Sequence, residues 1–225
     1  MSFTRIVSRL AGGLVFLSLF IGSANAQQDR RQNEAGKFNF YVLALSWSPS
    51  FCESRGERAP RQQCGSRPYS FVVHGLWPQY ERGYPEYCQV PAPRLQREIM
   101  TSMLDIMPAP GLIYREWDKH GTCAGTSART YFENVRKARA IVKIPEQFLD
   151  PKEYQTVSPD EVEEAFVKAN PGLTREAIAV DCDRRHLREV RVCMTKELGF
   201  RNCAEIDRRA CRRDKLVMPP VRGGS

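Results

Sequence analysis

Eight cysteines that follow an apolar N-terminal leader constrain this chain more than any other feature. Arg5 and Arg9 open the leader, Leu10 to Ile21 forms its apolar run, and Ala24-Asn25-Ala26 supplies the small residues of a cleavage site. This is the pattern of a secretory signal peptide removed after Ala26. The competing reading, a membrane anchor, needs ~20 apolar residues, and this run is shorter. Residues 1–26 are therefore read as a removed signal and residues 27–225 as one domain, roughly 200 residues being enough for one sizeable core.

The cysteines stand at 52, 64, 88, 123, 182, 193, 203 and 211. An even count behind a secretory signal predicts four disulfides made in an oxidising compartment. No Cys-x-x-Cys pair is present, which argues against a zinc cluster. Spacing alone leaves on the order of a hundred pairings open. No asparagine is followed by x-Ser or x-Thr, so the chain lacks an N-glycosylation acceptor. That favours a bacterial periplasm or bacterial secretion. The net charge of +8 suits a polyanionic partner but does not identify one.

Gln27 to Gly36 is polar and reads as a loose terminus. Phe38 to Trp47 is uncharged and predicts a buried strand ended by Pro49. Ser50 to Pro68 reads as a disulfide-closed loop. Tyr69 to His74 predicts a second strand, broken by Gly75. Leu95, Ile99, Met103 and Met107 recur four apart and predict an amphipathic helix over 93–107. Further helices are expected over 112–123 and 128–142. Ser158, Pro159 and Glu161 predict the capping box of another, which stops by Asn170-Pro171-Gly172. Residues 177–183 and 189–195 are β-prone, and the second stretch alternates polar and apolar residues. The fold class is α+β, an antiparallel sheet with helices packed on one side.

Two segments carry candidate chemistry. In Phe71 to Tyr80, FVVHGLWPQY, His74 ends a strand, and Trp77 offers a flat face for stacking a base, worth ~1–3 kcal/mol in single-strand binders. Taken alone, both could be packed structural residues. In Tyr114 to Cys123, YREWDKHGTC, Glu116 and His120 lie four apart on a helix, with Lys119 beside them. On an arbitrary helix this would be a solvated face.

Together, His-Gly-Leu-Trp-Pro and, roughly 40 residues later, Glu-Trp-Asp-Lys-His-Gly-Thr-Cys closely resemble the signature segments of the ribonuclease T2 family. The strand ending LSWSP before the first cysteine and the four-cysteine C-terminal region extend the likeness over most of residues 27–225. The resemblance implies a secreted, metal-independent endoribonuclease with no cofactor. It would cut single-stranded RNA by transphosphorylation through a 2′,3′-cyclic phosphate to 3′-phosphate ends, and leave DNA uncut. It makes His74 and His120 the catalytic histidines and Glu116 and Lys119 their charged helpers. Trp77, Gln79 and Arg115 become substrate-binding positions. Arg115 stands where many members carry a further histidine; a guanidinium can clamp phosphate there but cannot transfer a proton. Gln79 replaces the acidic base-reading residue of some relatives and leaves base preference open. The implied disulfides are Cys52–Cys64, Cys88–Cys123, Cys182–Cys211 and Cys193–Cys203. His186 is expected at the surface. A catalytically silent RNA-binding scaffold and a metallohydrolase built on His74, His120 and Glu116 are the competing readings. The second is disfavoured by the cation of Lys119. Oligomeric state is left open, with a monomer as default.

Overall fold

The structure is a computed structural model that describes Met1, residues 33–65 and residues 67–222. Met1–Arg31 and Gln32–Ser225 fall into separate units, and the second is described here. The signal-peptide reading of residues 1–26 lies outside the described residues.

Four antiparallel strands form the main sheet: β1 (Phe40–Trp47), β2 (Phe71–Gln79), β4 (Ile178–Cys182) and β5 (Leu187–Met194), in the order β2-β1-β5-β4. β1 is central and buried on both faces, which is why its sequence is continuously uncharged. Tyr41, Leu43, Leu45 and Trp47 enter the main core, while Phe40 and Val42 pack with Cys193 and Cys203 on the opposite face. β5 alternates as its sequence predicts: Val190, Val192 and Met194 join the main core. Glu189 and Arg191 therefore lie on the other side, by the period of two. A short second sheet pairs β3 (Gln155–Val157) with β6 (Leu216–Met218), and nothing in the sequence pattern had marked either strand.

The helices are α1 (Ser48–Arg55), α2 (Arg61–Cys64), α3 (Arg97–Ser102), α4 (Pro110–Lys119), α5 (Ala128–Ile141), α6 (Pro159–Ala169) and α7 (Ala204–Arg208). α6 has its capping box: the Glu161 amide donates to Ser158 Oγ, and the Ser158 amide to Glu161 Oε2.

Several boundaries differ from expectation. β1 ends at Trp47 as expected, but a helix follows at once, with Pro49 in the first turn of α1, where proline fits. The expected loop over 50–68 therefore contains two short helices. Gly75 does not break β2, which continues to Gln79. The helix expected over 93–107 shrinks to α3, followed by turns, although Leu95, Ile99, Met103 and Met107 are all buried. Their spacing reported burial correctly and helix length wrongly. Gly36 is not loose either, since its amide donates to the Cys123 carbonyl at 2.9 Å.

Four disulfides close, Cys52–Cys64, Cys88–Cys123, Cys182–Cys211 and Cys193–Cys203. Cys88–Cys123 ties the turn after α4 to the irregular segment following β2. Replacing both cysteines with serine should cost about 2–5 kcal/mol, seen as a lower urea midpoint; an unchanged midpoint would show that the bridge adds nothing.

Candidate active site

β1 and β2 lose register at one point. Ala44 opposes Gly75 and Leu45 opposes Val73, so His74 has no partner on β1. His74 is the extra residue of a β-bulge. The extra residue also resets the alternation: Phe71 and Val73 enter the main core before it, and Leu76 after it. His74 and Trp77 are thereby released to the other side, where their rings meet at 5.2 Å.

Beneath His74 lies a carboxylate from two strands away. His74 Nδ1–H donates to Glu189 Oε1 at 2.5 Å. Arg191, two residues along the same face of β5, donates from Nε and Nη2 to Glu189 Oε2 at 3.0 and 2.9 Å. Ser46, on the strand between, donates to Glu189 Oε1 at 3.3 Å. On its other edge, His74 Nε2 lies 3.6 Å from Glu116 Oε1.

Glu116 comes from α4, which borders edge strand β2, and it is only 3% exposed. Trp77 Nε1–H donates to Glu116 Oε2 at 2.7 Å. The close approach depends on Gly75. A Cβ there would fall 2.1 Å from Glu116 Oε2 and 2.4 Å from Trp77 Nε1.

His120 follows the last turn of α4, buried, with its ring 5.4 Å from Trp77 and 6.0 Å from Tyr84. Its Nδ1 is buried without a hydrogen-bond partner. Lys119 Nζ sits 3.4 Å from Glu86 Oε2 and 5.5 Å from the Tyr84 ring centroid. His74, Trp77, Glu116 and His120 thus form one chain of contacts, with Lys119 bordering it through Tyr84.

The two imidazoles have opposite electrostatics. Burial opposes charge on His74, but the hydrogen bond and charge of Glu189, with the charge of Glu116, outweigh it and raise its pKa. His120 is pushed down to about 3, by burial first and then by the cations of Lys119 and His74. Burial raises Glu116 above the usual carboxylate range, against the pull of His74 and Trp77. For Glu189 burial acts upward too, yet His74 and Arg191 overcome it and hold the carboxyl down at about 2. The surroundings thus favour the charged form of His74 and the neutral form of His120.

Arg115 is exposed on α4 and lines an adjoining cavity of about 440 Å³, together with His74 and Glu189. Gln79 is buried at the end of β2, and its Nε2 donates to the Pro78 carbonyl. His186 stands outside this constellation. The expectation of a surface residue is corrected: its side chain is 16% exposed, between Glu53 and Asp183 at 3.5 and 3.6 Å. Its backbone is held there by a bridge to Val217. Among the described residues, no group of three or more His, Cys, Asp or Glu side chains could hold a metal ion.

Sequence reasoning missed Glu189, Arg191 and Tyr84. The alternation of EVRVCMT did place Glu189 and Arg191 on one face. A carboxylate on a strand beside the uncharged β1 was the available signal that it had a buried partner. For Tyr84 there was no signal.

The ribonuclease T2 family model matches residues 38–203. A "Probable ribonuclease" of Haemophilus influenzae is 34% identical over 185 residues, 76% of this chain and 63% of that protein. A ribonuclease of Aeromonas hydrophila is 39% identical over 120 residues, 53% of this chain and 54% of its own length. The chain thus spans less than two thirds of either relative. Ribonuclease I of Escherichia coli is 28% identical over 223 residues, 80% of this chain and 81% of the relative. Among solved structures, RNase NT in complex with 5′-AMP superposes with a TM-score of 0.64 at 21% identity, covering 81% of this chain and 98% of its own. An RNase-related protein from Calystegia sepium gives 0.67 at 18% identity, covering 82% and 98%. These likenesses establish the fold.

Replacing Glu189 with glutamine removes the main charge that sustains the imidazolium, while burial remains. The His74 pKa should then fall, and NMR titration of the histidine ring protons would read it directly. A His74 titration unmoved in Glu189→Gln would mean that Glu189 does not set its charge.

Proposed function

The chain belongs to the ribonuclease T2 family, and from that premise we propose that it cleaves single-stranded RNA by acid–base transphosphorylation, using no metal or cofactor. The observation that carries the reading is the meeting of two imidazoles in one cluster, His74 between the carboxylates of Glu189 and Glu116 and His120 across the Trp77 ring from it. RNA supplies its own nucleophile, the 2′-OH. Neutral His120 takes that proton as the oxygen attacks phosphorus, and charged His74 gives a proton to the departing 5′-oxygen. The 2′,3′-cyclic phosphate so formed is opened by water with the roles exchanged, leaving a 3′-phosphate. Each proton-transfer role is worth ~10²–10⁴-fold. DNA lacks the 2′-OH and would not react.

The remaining residues support charge and position. Lys119 offsets negative charge growing on the phosphoryl oxygens. Glu116, raised above the usual range and bonded to Trp77, would sustain the imidazolium of His74 while ionised and, once protonated, would donate a hydrogen bond to those oxygens. Trp77, held by Glu116 and bordered by both histidines, acts more as a wall of the site than as a free stacking platform. Tyr84, 43% exposed, offers a face to a base. Arg115 would engage phosphate, and Gln79 would have to release the Pro78 carbonyl before reading a base.

Residues 1–26 are read as a removed signal and residues 27–225 as one catalytic domain, secreted or periplasmic and monomeric. Four disulfides fit an oxidising compartment. Among the described residues no helix is long and apolar enough to cross a membrane.

Two measurements test the chemistry. His120→Ala should lose ~10²–10⁴-fold in RNA cleavage; full retained activity would end this mechanism. The pH profile of kcat/KM follows the free enzyme. Activity should fall as pH rises through the elevated His74 pKa, which removes the acid. It should persist in acid until His120, lowered to about 3, gains its proton. A profile with its acid limb near the ordinary histidine value of about 6.5 would contradict the assignment.

A further inference from the structure

The cavity beside His74 is unusual in its charge. Arg55, at the end of α1, Arg115, on α4, and Arg188, near the start of β5, all line it. Three elements distant in sequence thus bring three guanidinium groups to one concavity. Arg55 lies over the Phe51 ring at 5.3 Å, and neither Arg55 nor Arg115 has an ion pair among the described residues. Among the described residues Arg188 has only a long one, 3.5 Å to Asp183. The single carboxylate in the lining, Glu189, is already engaged by His74 and Arg191. The interior is apolar where Val72, Pro110 and Leu112 contribute. A concavity with an apolar interior and an arginine border matches a nucleoside that carries a further phosphate.

Its position selects which nucleoside. His74 lines the cavity, whereas His120, Trp77 and Tyr84 do not. The group that protonates the departing 5′-oxygen therefore faces the cavity, and the nucleoside attached to that oxygen lies on its side of the cut. We propose that Arg55 and Arg188 bind the next phosphodiester on the 3′ side of the scissile bond, so that the enzyme prefers RNA continuing beyond the leaving nucleoside. This rests on the reading of His74 as proton donor to the leaving oxygen. Arg115, nearer Glu116 along α4, is left to the scissile phosphate. Both Arg55 and Arg188 are outside the proton-transfer cluster, and neither supports the core.

The test compares a dinucleoside monophosphate with the same molecule bearing a 3′-phosphate. The wild-type protein should cleave the phosphorylated substrate with kcat/KM about tenfold higher, mostly through KM, because a contact kept from ground state to transition state acts as uniform binding. In Arg55→Gln/Arg188→Gln the ratio should fall to about one while cleavage of the shorter substrate stays within about twofold. A 5′-phosphate on the other end should give no arginine-dependent gain. Binding of the 3′-phosphorylated ligand should weaken more with added salt than that of the shorter one, and only in the wild type. An uncleavable pair, with hydrogen for the 2′-OH at the cut site, gives the same comparison by equilibrium binding and keeps it independent of chemistry. A wild-type ratio near one, or a ratio that survives in the double variant, overturns the subsite. No cleavage of either ribonucleotide, with the binding difference intact, overturns the catalytic reading and leaves the phosphate contact standing.

Discussion

The site depends on one buried negative charge. Glu189 projects from β5 beside the uncharged β1, where an isolated carboxylate would be strongly disfavoured. It is tolerated because Arg191 takes one oxygen while His74 and Ser46 take the other. Removing one partner from such a group leaves a buried charge uncompensated, typically a loss of 3–5 kcal/mol by general experience with buried pairs. The carboxylate therefore fixes both where the imidazole of His74 points and how it is charged. It also couples three strands, since Ser46, His74 and Glu189 stand on β1, β2 and β5.

Backbone irregularity makes this geometry available. In an unbroken strand a side chain facing away from the main core would alternate strictly with core residues. The bulge at His74 inserts one residue, so that Val73 and Leu76 both stay in the core and the residues between them are freed to form the site. Gly75 completes the arrangement by leaving room for the Glu116 carboxylate and the Trp77 indole nitrogen. The arrangement on the helix side is equally local. His120 lies just past α4, and Cys123 in the following turn is bridged to Cys88. The bridge holds the exit of α4 against the segment that follows β2, close to both motifs.

Much of this was legible in the sequence, for identifiable reasons. The uncharged run of β1, the alternation of β5 and the capping box of α6 are local patterns, and local patterns survive folding when tertiary packing agrees with them. The two motif segments marked His74, Trp77, Glu116, Lys119 and His120, which the fold brings together. What failed was non-local. Gly75 looks like a strand terminator until the neighbouring register shows that it sits inside a bulge. The turns after α3 replace helix because the core needs the side chains of Met103 and Met107 but not their helical backbone. Glu189 could be placed on a face but not paired, since His74 lies 115 residues away in sequence. β3 and β6 are three residues each, too short to register as periodicity.

Two chemically identical side chains take different roles in this site. His74 and His120 are both largely buried, and burial alone would drive both towards the neutral form. They diverge because of their neighbours. His74 lies between two carboxylates, one of which is itself held ionised by Arg191. His120 has an unpaired ring nitrogen, lies near the cations of Lys119 and His74, and faces aromatic rings on two sides. The charged imidazole also depresses its partner, since His74 is one of the influences that lower His120. The protonation of the acid and the neutrality of the base are thus a single electrostatic state. A change at Glu189 would reach His120 through His74, although the three residues come from different elements of the fold.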